Sequence, residues 1–563
     1  MNKKKVLGAV YTPSSFAKYI ADKTKNYYEK INGPFTKNTS VLDPACGDGE
    51  LLKEIYKSTN GTSQLFGIDL DAEAVKASSS HFGKNIVNDN FLVPNGLSFL
   101  EGWKKLVSNK NFPSSFDIII ANPPWGACTQ SYKEKLKLNQ FELMTRQADT
   151  SDLFIEASLS IVKENGIIAF IIPDSIFALE RDNLRKMLLS KCNILFLGRF
   201  GEKLFKGVNR ACAVIICQKA NPNLNHEVEC LRLVKNSRDR ILSNESSFSL
   251  EEKLSKLNIK QKRFLENNNY QFNLELVPQH EDLYKSFKNF PKKIGDYLTS
   301  TRGVELSKKG NVINCVNCNY WQPLVSKKDG FTCKHCGHEN LISSCEIDCI
   351  ISPTVKGKKI IVGEHITRYC CSGQLFIDDS KTGIKYKDPK TYLEHKIVVR
   401  KTGLGVSATI DYSEAMTNQV VYIFKVREKI QNSIPIEFLL MILCSRAVFF
   451  FIAMSGGEIE WKSHPYLTQS QLLNLPVPNL LEKYIENKKF IDPLAVELKK
   501  LISNYKEIPV TLDAKIELLV SKIYGFTRAD YEKKYAMLKT AENLKPIQAL
   551  KRVSIEQIFR GTE

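Results

Sequence analysis

The chain has 563 residues, of which 43% are hydrophobic and 25% are charged. This composition excludes collagen-like, fully disordered and small disulfide-scaffold proteins, and the length is sufficient for two to four domains with buried cores. The formal net charge of +19, from 80 Lys and Arg against 61 Asp and Glu, favours a polyanionic partner such as nucleic acid. A lysine-rich proteome would explain the same excess, so charge alone does not identify the partner.

The N-terminus and the cysteines predict a cytoplasmic protein. Residues 1–5 are basic, but no apolar segment or cleavage site of a signal peptide follows them. The most apolar stretch, 438–454, is interrupted by Ser445 and Arg446, which predicts a buried helix rather than a membrane span. Without a secretion signal, the 15 cysteines are expected to be mostly reduced.

From residue 40 to about 220, short apolar segments alternate with helical patterns, which predicts an α/β fold with a parallel sheet. The predicted strands are 40–43, 64–69, 85–87, 116–121, 166–172, 194–200 and 212–218. The predicted helices are 50–57, 71–82 and 152–164, and Ser151 is the candidate N-cap of the last one. Segment 116–121 is apolar except for Asp117, as expected for a strand covered on both faces.

Beyond residue 220 the sequence predicts a different organisation. Segment 223–290 is polar and rich in lysine and asparagine, and we expect it to be helical or to act as a linker. Residues 291–480 combine short β-like segments, turns and a cysteine cluster, whereas residues 481–563 have a helical pattern. The predicted domains are therefore 1–222, 223–290, 291–480 and 481–563.

A glycine-rich turn, Asp43-Pro-Ala-Cys-Gly-Asp-Gly49, follows the first predicted strand and precedes a helix. Gly47 and Gly49 permit a tight bend and the close approach of a ligand to the backbone. Asp43 and Asp48 would repel a pyrophosphate, which favours a ligand with cationic groups, such as S-adenosylmethionine. A tight βα turn with acidic capping residues would explain the motif equally well.

Two further aspartates extend this candidate pocket. Asp69 ends the second strand, where a carboxylate accepts hydrogen bonds from ribose hydroxyls. Asp89 follows the third strand and is a candidate acceptor for an adenine amino group, with Phe91 against the ring. Each aspartate alone is typical of a solvated turn, but the ordered set favours a nucleoside-containing cofactor.

The fourth predicted strand is followed by Asn122-Pro-Pro-Trp125-Gly. The prolines fix φ and remove backbone donors, so the carbonyls of Asn122 and Pro123 are available to accept both N–H bonds of an exocyclic amine, and Trp125 offers a stacking surface. The lone pair of adenine N6 is delocalised into the ring. Two acceptors below the ring plane would direct this lone pair towards an activated methyl group. As a bare tetrapeptide, the motif would also suit a rigid surface turn.

Together these motifs resemble the gamma-class N6-adenine-specific DNA methyltransferases, in which cofactor motifs, the Asn-Pro-Pro-aromatic motif and a target-recognition domain follow one another. The resemblance includes Tyr11-Thr12-Pro13 and residues 152–173. It implies a Rossmann-like, S-adenosylmethionine-dependent methyltransferase sheet, followed by a mixed α+β DNA-recognition domain and a helical C-terminus. The implied cofactor-binding residues are Thr12, Asp43, Ala45, Gly47, Asp69, Asp89 and Phe91. The implied catalytic residues, which hold the base, are Asn122, Pro123 and Trp125, where the family usually has Tyr or Phe instead of Trp.

Four cysteines in the second half have the spacing of a zinc ribbon, Cys315-x2-Cys318-x14-Cys333-x2-Cys336. Each Cys-x-x-Cys pair places two sulfurs on one side of a tight turn, and two such pairs complete a tetrahedron. This predicts a structural zinc ion within residues 312–341. Four unpaired thiols, or a neighbouring histidine in place of one cysteine, are the alternatives.

The flanks of the ribbon resemble the recognition domain of the same class, in segments 294–305, 362–369, 396–400 and 464–478. Such a domain is needed because the target adenine must be flipped out of the stack. The candidate contacts to double-stranded DNA are Arg302, Arg368, Arg400, Lys401 and the lysine cluster at 356–359, although each is also typical of a solvated surface charge.

The sequence therefore predicts site-specific methylation of adenine N6 in duplex DNA, within a restriction-modification or phage-defence system. Because the N-terminal motif begins at residue 11, we expect no fused upstream nuclease, and a separate restriction endonuclease or defence-system subunit is a candidate partner. No membrane partner is expected. The alternatives are methylation of RNA adenine, methylation of protein glutamine N5, and a catalytically silent zinc-containing DNA-binding subunit.

Overall fold

The chain folds as two compact units, Met1–Val277 and Pro278–Glu563. The computed structural model describes residues 12–110, 112–126, 134, 136, 141–144, 149–205, 210–324, 329–403, 405–455, 467–540 and 545–560. Two parts of the predicted motifs, Tyr11 and residues 464–466, lie outside the described residues.

The first unit is built on a nine-stranded sheet with the order β3-β2-β1-β4-β5-β7-β6-β8-β9. Its strands are β1 (Ser40–Asp43), β2 (Gln64–Asp69), β3 (Ile86–Asn88), β4 (Phe116–Ala121), β5 (Val162–Pro173), β6 (Cys192–Gly201), β7 (Cys212–Lys219), β8 (Glu227–Arg232) and β9 (Lys256–Lys260). The first five strands run parallel to one another, and β7 is antiparallel to both of its neighbours. The predicted α/β fold is confirmed, but the sheet is mixed and only part of it is parallel, because β7 and β9 run antiparallel to their neighbours.

Helices cover both faces of this sheet. They are α1 (Ser14–Asn32), α2 (Glu50–Ser58), α3 (Ala72–Phe82), α4 (Phe99–Lys110), α5 (Thr150–Ile161), α6 (Asp182–Lys191), α7 (Lys235–Leu242), α8 (Phe248–Ser255) and α9 (Gln261–Glu266). Alternate side chains of β4 enter two separate cores, Ile119 on the face that α5 covers and Ile118 and Ile120 on the face that α1 covers. This two-sided burial explains why the strand is apolar apart from Asp117, whose carboxylate accepts hydrogen bonds from Ser40 and Lys163.

The sheet extends beyond the predicted domain boundary at residue 222. Strand β8 pairs in parallel with β6, and β9 pairs with β8, so residues 223–277 belong to the first unit and do not form a linker. The segment is partly helical, as predicted, because it contains α7, α8 and α9. Val228, Cys230 and Ile259 are buried in its core. The alternation of apolar and charged residues in β8 was the strand signal, and the high lysine and asparagine content of the segment obscured it.

Helix α5 begins two residues earlier than predicted and ends at Ile161, where β5 follows directly. Its N-cap is Asp149 rather than Ser151. The Asp149 carboxylate accepts a hydrogen bond from the Ser151 N–H, and the Asp152 carboxylate accepts one from the Asp149 N–H, which forms a capping box.

The second unit contains several small sheets. Its strands are β10 (Lys292–Lys293), β11 (Leu298–Arg302), β12 (Asn311–Asn314), β13 (Trp321–Pro323), β14 (Gly330–Thr332), β15 (Glu339–Leu341), β16 (Ile347–Cys349), β17 (Ile351–Ser352), β18 (Lys358–Ile361), β19 (Ile366–Thr367), β20 (Cys370–Cys371), β21 (Leu375–Ile377), β22 (Lys396–Arg400), β23 (Ala408–Asp411), β24 (Met416–Thr417), β25 (Val421–Val426) and β26 (Pro476–Val477). The two larger sheets have the orders β11-β25-β22-β23 and β17-β21-β18-β24. Short strands and turns between 292 and 478 agree with the prediction for this region.

The helices of the second unit lie mainly towards its C-terminus. They are α10 (Glu281–Lys288), α11 (Ile436–Leu443), α12 (Arg446–Met454), α13 (Gln469–Leu473), α14 (Leu480–Ser503), α15 (Val510–Tyr524), α16 (Arg528–Thr540), α17 (Lys545–Lys551) and α18 (Ile555–Ile558). Among the described residues, no single helix has the length and apolarity to cross a membrane; α11 and α12 meet that test only as a pair, with a bend of 47° between them. Ser445 caps α12 at this bend, where the sequence predicted an interruption.

Candidate active site

Four loops leave the sheet at the carboxyl edge of its parallel strands. The hydrogen-bond register places Asp43 of β1 level with Gly67 of β2, and Asp69 of β2 level with Asn88 of β3. Strand β4, which precedes Asn122, pairs with the other side of β1. The glycine turn, the two aspartate loops and the Asn122 motif therefore follow neighbouring strands at one edge, which is where open α/β sheets bind ligands.

The glycine turn is as tight as predicted. Gly47 and Gly49 have positive φ angles of 52° and 83°. A Cβ atom on Gly49 would lie 2.9 Å from Cε2 of Phe82 in α3. The Ser78 hydroxyl, one helical turn earlier, donates a hydrogen bond of 2.5 Å to the Gly47 carbonyl. Helix α3 thus fixes the turn from one side, and a larger residue at position 49 would disturb it.

Two carboxylates hold the backbone of this turn. Asp43 Oδ1 accepts a hydrogen bond from the Ala45 N–H at 3.0 Å, and Asp69 Oδ2 accepts one from the Gly47 N–H at 2.7 Å. Asp43 is only 1% exposed, and this burial, together with the nearby negative charge of Asp69, raises its pKa to about 8. Burial also raises the pKa of Asp69. A cation bound at the turn would favour the ionised form of both groups.

Asp89 and Phe91 have different surroundings. The Asp89 carboxylate accepts the Asn95 N–H at 3.2 and 3.0 Å, which closes its loop, and the Asp89 N–H donates to the Asp69 carbonyl at 3.1 Å. Phe91 is 2% exposed, and its ring centroid lies 5.4 Å from that of Phe99. The structure thus places Phe91 in the core, whereas a ring lying against adenine was predicted. An aromatic residue after a strand suits either role, so the sequence could not distinguish them.

Asn122 is joined to the N-terminal motif. Its Nδ2 donates a hydrogen bond of 3.1 Å to Oγ1 of Thr12, which lies just before α1. Both residues are half-buried, and Pro123 is buried. Thr12, separated from Asn122 by 110 positions in sequence, therefore reaches the same sheet edge.

Trp125 packs inside the protein. It is 7% exposed, and its Nε1 donates a hydrogen bond of 3.3 Å to the Ile171 carbonyl of β5. The Phe205 ring lies edge-on at a centroid distance of 5.1 Å, and the Arg210 guanidinium is 6.0 Å from the indole centroid. The indole holds the loop against β5, whereas a stacking surface was predicted. Phe205 was not predictable from the sequence, because it follows β6 outside any recognised motif.

A network of charged groups fixes the other end of the Asn122 motif. The Gly126 N–H donates to Asp149 Oδ1 at 3.2 Å, and the Gly126 carbonyl accepts the Thr150 N–H at 2.9 Å. Arg181 pairs with Asp149 at 3.5 Å and with Asp152. Burial raises the pKa of Asp152 to about 6, in opposition to the nearby positive charge of Arg181. The loop is thereby attached to the first turn of α5.

The four predicted metal ligands come together in the second unit. One Cys-x-x-Cys pair lies between β12 and β13 and the other between β14 and β15, and all four sulfur atoms lie within 4.8 Å of one another: Cys315, Cys318, Cys333 and Cys336. Asn340 Nδ2 donates to Cys315 Sγ at 3.5 Å, and the His335 N–H donates to Cys333 Sγ at 3.4 Å. Such donors stabilise thiolates, so the arrangement suits a soft tetrahedral metal ion.

Arg368 was one of the basic residues predicted to contact DNA, but it is buried and pairs with a carboxylate of the second unit. It is 8% exposed, and its guanidinium makes hydrogen bonds of 2.7 and 2.8 Å with the Asp513 carboxylate. Arg302 is exposed on β11, and Lys358 is exposed on β18. The partner of Arg368 lies 145 positions away in the sequence, so its burial had no local signal.

Two family models match the sequence. One, described as N-6 DNA Methylase, covers residues 1–282, and the other, described as TaqI-like C-terminal specificity domain, covers residues 358–477. The Type II methyltransferase M.VspI of Vibrio sp. (strain 343) is 29% identical over 225 residues, which are 40% of this chain and 51% of that protein. The Type II methyltransferase M.BanIII of Aneurinibacillus aneurinilyticus is 30% identical over 218 residues, 36% of this chain and 37% of that protein. The chain thus spans about half or less of the length of these relatives.

Two solved structures resemble the whole chain in fold. The cryo-electron microscopy structure of a DrdV–DNA complex covers 90% of this chain and 58% of its own, with 14% identity and a TM-score of 0.55. The Type IIL restriction-modification enzyme MmeI in complex with DNA covers 93% of this chain and 75% of its own, with 14% identity and a TM-score of 0.50. The resemblance predicted from the motifs is confirmed. Because the first family model includes the glycine turn, the Asn122 motif and the whole nine-stranded sheet, the chain belongs to the N-6 DNA Methylase family.

Proposed function

We propose that the protein is a site-specific DNA methyltransferase that transfers a methyl group from S-adenosylmethionine to N6 of adenine in duplex DNA. The observation that supports it most is the position of the Asn122 motif and the glycine turn on neighbouring strands at one sheet edge. The relatives M.VspI and M.BanIII are named as Type II methyltransferases, which favours a role in a restriction-modification system. MmeI and DrdV, which share the fold, are described in complex with DNA, which favours a DNA partner.

The residues around the glycine turn fit S-adenosylmethionine. The missing Cβ at Gly49 makes room for helix α3, whereas at Gly47 it leaves the backbone open to close approach by a ligand. The acidic groups of Asp43 and Asp69 suit cationic substituents. In this proposal Asp69 also accepts the ribose hydroxyls, and Asp89 accepts the adenine amine. Ala45 and Thr12 complete the site, and Phe91 supports it from the core. When bound, the cofactor supplies a methyl group on a positively charged sulfur.

The Asn122 motif would bind the target adenine after it is flipped from the duplex. The Asn122 side-chain oxygen and the Pro123 carbonyl accept the two N–H bonds of N6, which favours a pyramidal nitrogen with its lone pair available for reaction. Trp125 positions this loop through its bond to the Ile171 carbonyl. Because the methyl donor is already activated, orientation and hydrogen bonding supply most of the rate, and no strong base is needed.

We also propose that the four cysteines hold a structural zinc ion. The sulfur separations and the N–H donors to sulfur suit thiolate ligands, and four protein ligands leave no position for a reacting water. The ion would join two hairpins of the second unit, whose match to a TaqI-like specificity domain favours DNA recognition by this region. A separate endonuclease or defence-system subunit is proposed as a further partner.

The proposal is tested by transfer of labelled methyl groups to duplex DNA of diverse sequence, with structured RNA as the competing substrate. We expect DNA labelling at adenine N6, and loss of about 100- to 1,000-fold in rate for Asn122→Ala, because the acceptor of the target amine is removed. Asn221→Ala, at an exposed position, is the matched control.

Other results would each overturn the proposal. Labelling of RNA alone would favour an RNA adenine methyltransferase, and labelling of protein glutamine would favour the amide-directed alternative. DNA binding without calorimetrically detectable binding of S-adenosylhomocysteine would identify a catalytically silent subunit.

A further inference from the structure

We infer that Thr12 is a positioning residue that sets the orientation of the Asn122 side-chain amide. This inference rests on the proposed function, in which the Asn122 oxygen accepts an N–H of the target amine. It assigns to Thr12 a role that acts on the base, in addition to its proposed place beside the cofactor.

The first observation is the hydrogen bond from Asn122 Nδ2 to Thr12 Oγ1, 3.1 Å long. A primary amide has a donor fork and an acceptor fork of nearly the same shape, and rotation about χ2 exchanges them. In the observed orientation the donor fork points at Thr12. The carbonyl oxygen is therefore on the opposite side of the amide group. In the proposed function, this oxygen is the atom that accepts an N–H from adenine.

The second observation is that Thr12 has a fixed position. It is followed by Pro13, whose carbonyl accepts the N–H groups of Phe16 and Ala17 at 2.9 Å in the first turn of α1. Phe16 is 1% exposed, and its ring centroid lies 4.9 Å from that of Phe200 of β6. The packing of α1 against the sheet thus places the Thr12 hydroxyl at the start of the Asn122 motif.

These observations give a physical reason for a hydroxyl at position 12. In the productive orientation both forks of the amide are satisfied once adenine is bound, one by Thr12 and one by the amine. In the exchanged orientation the amide NH₂ faces the N–H bonds of the amine, so two donors oppose each other. Removal of the hydroxyl would take this hydrogen bond away from the Asn122 amide at a half-buried position, and rotation of the amide about χ2 would be less restrained.

The matched variants are Thr12→Val, which keeps the shape but lacks the hydroxyl, and Thr12→Ser, which keeps the hydroxyl. We expect Thr12→Val to lower the single-turnover rate of methyl transfer to duplex DNA, at saturating cofactor, by about tenfold. The Kd for S-adenosylhomocysteine is measured in parallel, because saturating cofactor removes any loss of cofactor affinity from the rate, and Thr12→Ser should recover most of the rate. A residue that only binds cofactor would change Kd and leave the saturated rate unchanged, which would overturn the inference.

A double-mutant cycle with Asn122→Ala provides a readout that a general structural defect would not give. If Thr12 acts through Asn122, adding Thr12→Val to Asn122→Ala should lower the rate by less than twofold. A further tenfold fall would contradict the inference. Absence of methyl transfer by the wild-type protein would instead refute the proposed function, so the two failures are distinguishable.

Discussion

The two units of the chain place their key residues by different means. In the first unit, buried parallel strands align the loops that follow them, so Asp43, Asp69 and Asn122 come together through the register of one sheet. In the second unit the strands have at most six residues and form several small sheets. There, Arg368 and Arg446 share Asp513, and four cysteines join two hairpins. Continuous hydrophobic burial positions the first site, whereas in the second unit a buried charge network and a cluster of four thiols bring together residues that are distant in sequence.

Substitution of a clustered cysteine is expected to have the largest effect, and it tests whether a metal ion joins the two hairpins of the second unit. Cys333→Ser should reduce the zinc content, measured by mass spectrometry of the purified protein, from about one ion per chain to nearly none, because a ligand of a four-thiolate site is lost. DNA affinity should fall, but binding of S-adenosylhomocysteine to the first unit should be retained. Cys345→Ser, at a half-buried cysteine outside the cluster, is the control. Wild-type protein without zinc would contradict the expectation.

The next largest effect is expected on the stability of the second unit, when a carboxylate of its buried charge network is removed. Asp513 is 2% exposed, and the positive charges of Arg368 and Arg446 hold the pKa of its carboxyl well below its usual range, in opposition to its burial. Asp513→Ala would remove one of the two carboxylates that pair with these arginines and leave Glu517 to pair with both. This should lower the unfolding free energy of the second unit by about 3–5 kcal/mol. Denaturant unfolding with a probe in each unit would measure it.

The ion pair between exposed Lys358 and half-buried Asp379, 2.8 Å apart, is the control for this variant. Asp379→Asn should change stability by less than about 1 kcal/mol. Equal effects of the two substitutions would show that the buried network does not stabilise the second unit as inferred.

The smallest expected effect is a pH dependence of cofactor affinity in the first unit. The pKa of Asp43 is raised to about 8 by burial, so the folded state favours its protonated form, and the folding stability contributed by this group is lost as pH rises from about 4 to 8. Binding of the cationic cofactor requires the ionised form. Its affinity should therefore rise with pH, by up to about tenfold per unit between pH 6 and 8, in calorimetric titrations. Asp43→Asn should remove this dependence, and a flat wild-type profile would refute it.

The sequence predicted the first unit better than the second because its signals are local. Segment 116–121 is a strand in which every residue except Asp117 is apolar. In the second unit the Cys-x-x-Cys spacing is a local signal of the same kind, and it predicts the cluster of four sulfur atoms. Burial of Phe91 and Trp125 was not predictable, since an aromatic residue after a strand suits both a core and a ligand site. The role of Arg368 depends on Asp513, whose distance in sequence leaves no pattern to detect.

The strands β8 and β9 have a practical consequence for any attempt to separate the two units. A fragment that ends at residue 222 would lose both strands and leave β6 as an unpaired edge with its apolar side chains uncovered. Such edges recruit further strands from other molecules and cause aggregation. Limited proteolysis or truncation intended to yield the first unit in isolation should therefore retain the chain to Val277.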